Sequence, residues 1–219
     1  MTREVDPTYS AHAYSFTGNA AQALFERTHV IQWAERWYDW KKKSADMSKD
    51  TDPWHSLHAY SFAGNAAQAM FEATREISWA EKWFESYRVS AEMAKDVDQR
   101  HSAYACSLAG NAARALSESV NTANKKFYWA RRWYQNKCLS ANGLQDIEPK
   151  DAAQAYSFAG RAAREMYKLS GSKRWATDAI ACYKKFLDYY DHHQDDKMQG
   201  LISDVKRNVR ILRESVDGR

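Results

Sequence analysis

At 219 residues, with 44% hydrophobic and 27% charged side chains, the chain has enough apolar material for a folded core and too little bias for a disordered polymer. A formal charge of +4 falls short of the basic footprint of a dedicated nucleic-acid binder, and no apolar run reaches the roughly 18 residues a membrane helix needs. The three cysteines, Cys106, Cys138 and Cys182, do not form a disulfide framework, and Met1 to Pro7 lacks an apolar signal region, so a soluble cytoplasmic protein is expected.

Along the chain one phrase returns four times. Ala13-Tyr14-Ser15-Phe16-Thr17-Gly18-Asn19-Ala20-Ala21 is echoed from Ala59, from Ala105 and from Ala155. The glycines Gly18, Gly64, Gly110 and Gly160 stand 46, 46 and 50 residues apart. A fixed period of this size marks stacked supersecondary units. The units are 6–51, 52–97, 98–147 and 148–196, and a final segment, 197–217, follows them in a single domain spanning 1–219.

Each unit begins on a helix-start signal. Asp6-Pro7, Asp52-Pro53 and Glu148-Pro149 place an acid before a proline at the first helical position, and Asp98-Gln99 keeps the acid alone. In the second unit Leu57, Tyr60, Gly64, Ala67 and Phe71 make one apolar face at spacings of three and four. Ala59, Phe62, Ala66, Ala69 and Ala73 make a second face beside it, so this helix is expected to touch two neighbours. The repeated glycine costs about 1 kcal/mol of helix propensity. It is expected where a neighbouring helix leaves no room for a side chain.

A turn near Thr74-Arg75-Glu76 leads to a second helix carrying Trp79-Ala80-Glu81-Lys82-Trp83-Phe84. Trp33 to Tyr38 and Trp129 to Tyr134 match it, and Trp175 to Ile180 keeps only the first half. The third unit holds four extra residues, expected in its turn between Ser119 and Phe127. Gly143 is expected to end a helix and Gly171 to sit in a hairpin turn. Beyond the polar break Asp191 to Asp196, the residues Ile202, Val205, Val209, Leu212 and Val216 form the apolar face of a closing helix. The fold expected is an all-α, right-handed α-solenoid of four helix-turn-helix repeats plus a C-terminal capping helix.

Phe71, Ala80 and Phe84 form a large-small-aromatic trio that Phe25, Ala34 and Tyr38 repeat, and that Tyr167, Ala176 and Ile180 keep in part. On these residues the unit resembles the tetratricopeptide repeat family, including its Sel1-like variants, although the period is longer than the family's 34 residues. The resemblance implies a peptide-binding scaffold whose first helices line a concave groove.

On those helices a polar stripe recurs: Ser15, Asn19, Gln22 and Glu26, then Ser61, Asn65, Gln68 and Glu72, then Ser107, Asn111, Arg114 and Glu118, then Ser157, Arg161, Arg164 and Lys168. Asparagine can donate to and accept from a peptide backbone, and arginine can hold a carboxylate in bidentate fashion. Asn19, Gln22, Asn65, Gln68, Asn111, Arg114, Arg161 and Arg164 are therefore the candidate peptide-binding residues, with an acidic or C-terminal segment as partner. An equal reading makes the stripe a solvated face copied by duplication.

Tryptophans at Trp33, Trp37, Trp79, Trp83, Trp129 and Trp133 interleave with Lys41, Lys42, Lys43, Arg131 and Arg132. They suit packing between hairpins and, as an alternative, RNA binding by stacking and phosphate contact on repeats three and four. A self-assembling protein, with a two-fold dimer through the first repeat, is the other alternative. His55 and His58, three apart, and His192-His193 complete no metal-ligand set. No metal, no cofactor and no catalytic residue are expected.

Overall fold

The structure, a computed structural model, describes residues 7–193 and 195–218; the expected cap Asp6 lies outside them. Among the described residues the chain forms α1 (Pro7–Thr28), α2 (Ile31–Ser48), α3 (Pro53–Thr74), α4 (Ile77–Ala94), α5 (Gln99–Ser119), α6 (Ala123–Leu144), α7 (Pro149–Ser170), α8 (Lys173–His192) and α9 (Gln199–Asp217). One 3-10 turn, Asp196–Met198, precedes α9, and no strand occurs among these residues. Helices adjacent in sequence pack on one another, α1 on α2, α3 on α4, α7 on α8 and α8 on α9. This is an all-α fold of the solenoid class. It divides into two compact units, Met1–Ala112 and Ala113–Arg219, with the division inside α5. Among the described residues no helix is long and apolar enough to cross a membrane.

In the first unit the helix starts behave as their acids predict. Asp52 accepts the backbone N–H of His55 at 2.9 Å with Pro53 behind it, and Asp98 accepts that of His101 at 2.8 Å. The face through Leu57, Tyr60, Ala67 and Phe71 is buried. The second stripe is only half a packing face. Ala59 and Ala66 are buried, but Phe62 is 40% exposed and Ala73 lies in solvent. Phe62 instead supplies a ring beneath the Lys41 ammonium, at 4.7 Å.

The glycines Gly18, Gly64 and Gly160 each face a side chain of their own hairpin partner. A Cβ on Gly64 would stand 2.6 Å from the Tyr87 ring, and one on Gly18 would stand 3.0 Å from Cγ of Lys41. In the second unit Gly160 meets Tyr183 in the same way, at 2.6 Å. Lys41, Tyr87, Lys137 and Tyr183 occupy one repeat position, so lysine and tyrosine alternate along the chain.

First helices end alike in three repeats. His29, Arg75 and Gly171 take left-handed backbone angles, φ 53°, 59° and 67°, and their N–H groups donate to the carbonyls of Phe25, Phe71 and Tyr167. The four extra residues of the third repeat lengthen a helix more than a turn. Val120 to Thr122 connect α5 to α6 where two residues suffice elsewhere, and α6 has 22 residues against 18 in α2 and α4. Gly143 lies within the last turn of α6 and does not end it. In the second unit, α9 buries Ile202, Val205, Val209 and Leu212 against Met166, Tyr183, Phe186 and Tyr190, with Val216 at the margin.

Candidate functional site

The second unit contains a cavity of about 680 Å³ walled by first-helix residues and floored by α6. Arg114 comes from α5, Arg161 and Arg164 from α7, Asp204, Arg207 and Asn208 from α9, and Lys126 and Trp133 from α6. Helical spacing puts each pair on one face, and the repeat brings the faces together. Three of the eight expected site residues, Arg114, Arg161 and Arg164, therefore share one concavity.

Its arginines are not equally engaged. Arg114 pairs with Glu118 at 2.8 Å and Arg207 with Asp204 at 2.7 Å. Arg164 donates to Asn208 and lies 3.6 Å from Glu165. Among the described residues no carboxylate comes within ion-pair distance of Arg161, whose guanidinium sits 5.5 Å from the Phe158 ring centre. Three buried donors in and behind this wall also lack an acceptor: Nε1 of Trp133, Nε of Arg164 and the hydroxyl of Tyr183. The Tyr183 orphan has a local cause. In the second repeat the equivalent Tyr87 hydroxyl donates to Asn65, and in the fourth repeat Arg161 stands where Asn65 would be. A buried donor without an acceptor costs about 1–3 kcal/mol. The arrangement suits an oxygen-rich anion.

The remaining expected residues are in the first unit. Asn19 is exposed, and Gln22 and Gln68 donate to Glu26 and Glu72 on their own helices, each at 2.8 Å. Asn65 is exposed but its carbonyl is taken by Tyr87, leaving the amide N–H groups for a partner. Asn111 is half-buried and does not line the cavity.

The second-helix aromatics are largely core. Trp37, Trp79, Trp83 and Trp133 are each 5% exposed. Lys41, expected beside them as a surface cation, is 1% exposed and donates to Ser15 at 2.9 Å, and burial lowers its pKa to about 8. Lys137, 2% exposed over the Phe158 ring, is lowered to about 7 by burial and by Arg114. Arg131 and Arg132 remain exposed. The basic stripe is thus smaller than the sequence suggests, because the methylene stem of Lys41 is long enough to fill the space above Gly18.

Folding also assembles residues whose separation along the chain hides them. Oγ of Ser44 lies 2.8 Å from Nε2 of His55, near Asp52, and the second repeat copies this with Ser90 and His101 at 2.9 Å, near Asp98. Neither set is a nucleophile and its base. Ser44 is fully buried and its proton is committed to the Ala11 carbonyl at 2.7 Å, and Ser90 donates to Leu57 at 2.8 Å. The ligand atoms of His12, Asp52 and His55 lie within 4.8 Å of one another. The signal in the sequence is a histidine, an acid and a histidine recurring 46 residues on, at separations too long for a short-range ligand motif.

No family model matches the chain, and no curated protein matches it. Among solved structures it is similar to a filament protein, DHF58, at 14% identity over 97% of this chain and 96% of that one, with a TM-score of 0.32. It is also similar to a de novo designed helical repeat protein, DHR64, at 15% identity over 97% and 98%, with a TM-score of 0.31. The crystal structure of BtubC (BKLC) from P. vanneervenii matches at 11% identity over 98% of this chain and 85% of that one, with a TM-score of 0.53, a likeness that extends to the fold alone.

Proposed function

We propose that the chain is a non-catalytic adaptor of the tetratricopeptide-like class that captures an acidic peptide segment, seating a carboxylate among Arg114, Arg161 and Arg164. The observation that carries this reading is one arginine-walled cavity holding Arg161, which no carboxylate among the described residues pairs, beside two buried donors without acceptors, Nε of Arg164 and Nε1 of Trp133. A peptide carboxylate would supply oxygens to the Arg161 guanidinium, Nε of Arg164 and Nε1 of Trp133. The commitment of the Ser44 and Ser90 protons to carbonyls supports a non-catalytic role. A cytoplasmic setting belongs to the same proposal, with all three cysteines as free thiols.

The test is fluorescence anisotropy on a panel of labelled peptides with acidic or neutral sequences and free or amidated C-termini. Acidic peptides should bind, and Arg161→Ala and Arg164→Ala should each weaken them about tenfold or more, since a hydrogen bond to a charged group contributes about 1.5–3 kcal/mol. Equal binding of neutral peptides, or insensitivity to both arginine variants, would remove the reading. Steep salt-dependent binding of an RNA probe, lost with Arg131→Ala and Arg132→Ala, would replace it with the nucleic-acid reading.

A further inference from the structure

The first unit contains a cluster that peptide capture does not use. His12 projects from α1, while Asp52 caps α3 and His55 lies in its first turn. Hydrogen bonds fix which nitrogen of each ring carries the proton. Nδ1 of His12 faces the Thr8 carbonyl at 2.9 Å, so it must be the donor, and the lone pair of His12 is on Nε2. Nε2 of His55 faces Ser44, whose own proton goes to Ala11, so Nε2 of His55 donates and its lone pair is on Nδ1. Asp52 uses Oδ1 to accept the backbone N–H of His55, leaving Oδ2. One ligand atom from each of His12, Asp52 and His55 lies within 4.8 Å of the others, and the proton of each ring is directed to an oxygen elsewhere.

We propose that His12 Nε2, Asp52 Oδ2 and His55 Nδ1 form a binding site for a borderline divalent transition-metal ion of the Zn(II) type, completed by water. Two imidazoles and a carboxylate are a donor set that such ions accept with a position left open. The contacts to Thr8 and Ser44 orient the two rings in the manner typical of metal-binding histidines, with the far nitrogen held by an oxygen.

The rings now stack at 4.3 Å and 17°, and ligation requires one of them to tilt. The second repeat shows that packing permits this. His58, Asp98 and His101 are the equivalents at a 46-residue offset, and there the two rings meet at 81°, but among the described residues only the first set brings its three ligand atoms within 4.8 Å of one another. The third repeat replaces the set with Tyr104, Glu148 and Asp151, so two imidazoles meet only at the first two junctions. An ion here would tie α1 to the start of α3 and so fasten the first hairpin to the second.

The test is equilibrium dialysis of the full chain, without a histidine tag, against Zn(II) and against Co(II), read by metal analysis, by the visible spectrum of the cobalt form and by thermal unfolding. One ion per chain should be retained with a rise in Tm, and cobalt should give nitrogen-and-oxygen-ligand d–d bands. His12→Gln and His55→Gln should abolish the bands, whereas His58→Gln should leave them in place. Asp52→Asn preserves helix capping while removing the charge, so its loss of the ion, with the helical circular dichroism intact, separates ligation from folding. No retained ion, or bands that survive both His55→Gln and Asp52→Asn, would overturn the site. Peptide affinity is read separately, so neither result depends on the other.

Discussion

The Cβ that Gly64 lacks would stand 2.6 Å from Cε2 of Tyr87, a separation that no real Cβ tolerates. Gly64→Ala therefore sets an overpacking cost of about 1–3 kcal/mol against a helix-propensity gain of about 1 kcal/mol. A net loss of stability is expected, read as a lower urea midpoint at unchanged slope. Gly18→Ala meets the flexible methylenes of Lys41 at 3.0–3.1 Å and should be close to neutral. Equal losses at the two sites would contradict this account.

Lys137 makes stability depend on pH in an identifiable direction. Its folded pKa, about 7, lies below the usual lysine value of 10.5, so above pH 7 the unfolded chain binds more protons at this position than the folded one. Stability contributed here therefore rises as pH increases from about 7 towards 10, by at most about 1.4 kcal/mol per pH unit. Lys137→Met should remove that slope and be the more stable form at pH 7. The measurement is the difference between the two urea midpoints at pH 7 and pH 9, which should narrow at the higher pH.

Arg75 holds a left-handed backbone, φ 59°, at a place where the fourth repeat has Gly171. Non-glycine residues bear about 1–2 kcal/mol of strain there. Arg75→Gly should raise the urea midpoint by an amount near the lower figure, since the change also removes the guanidinium from the Phe71 ring and loosens the unfolded chain.

The thiols should label in a defined order. Cys182 donates its S–H to Cys138, and with help from the Tyr134 hydroxyl this lowers the Cys138 pKa, while burial pushes Cys106 up to about 11. Thiolate is the reactive form. The same hydrogen bond and burial push Cys182 up as well, so iodoacetamide followed by peptide mass mapping should find Cys138 modified ahead of both Cys106 and Cys182; modification of either before Cys138 would contradict the assignment.

Legibility in the sequence followed the range of the interaction. Helix starts at Asp52 and Asp98, the face through Leu57 and Phe71, and the closing helix through Ile202 and Leu212 all rest on spacings of three or four, which one chain segment displays by itself. The repeated glycine marks a point of close approach, but the atoms that approach Gly18 and Gly64 belong to Lys41 and Tyr87, more than 20 residues away. The sequence offers Lys41 with Lys42 and Lys43 alike as cations for phosphate contact, because side-chain length and the space over Gly18 leave no trace in a charge count. Arg114, Arg161 and Arg164 were legible as candidates through the repeat, whereas the orphaned Tyr183 hydroxyl required knowing that Tyr87 is satisfied by Asn65.

Because Lys41 and Lys137 lie over Phe62 and Phe158, the chain counts in twos. Its modules come in two kinds, and a gene that lost residues 52–97 would leave Lys41 opposite Leu108, with no ring beneath a sequestered ammonium. A gene that lost 52–147 would restore the match with Phe158. Growth or shrinkage of such an array is easier by pairs of modules than by single ones, and a chain lengthened in the laboratory should be extended on the same rule.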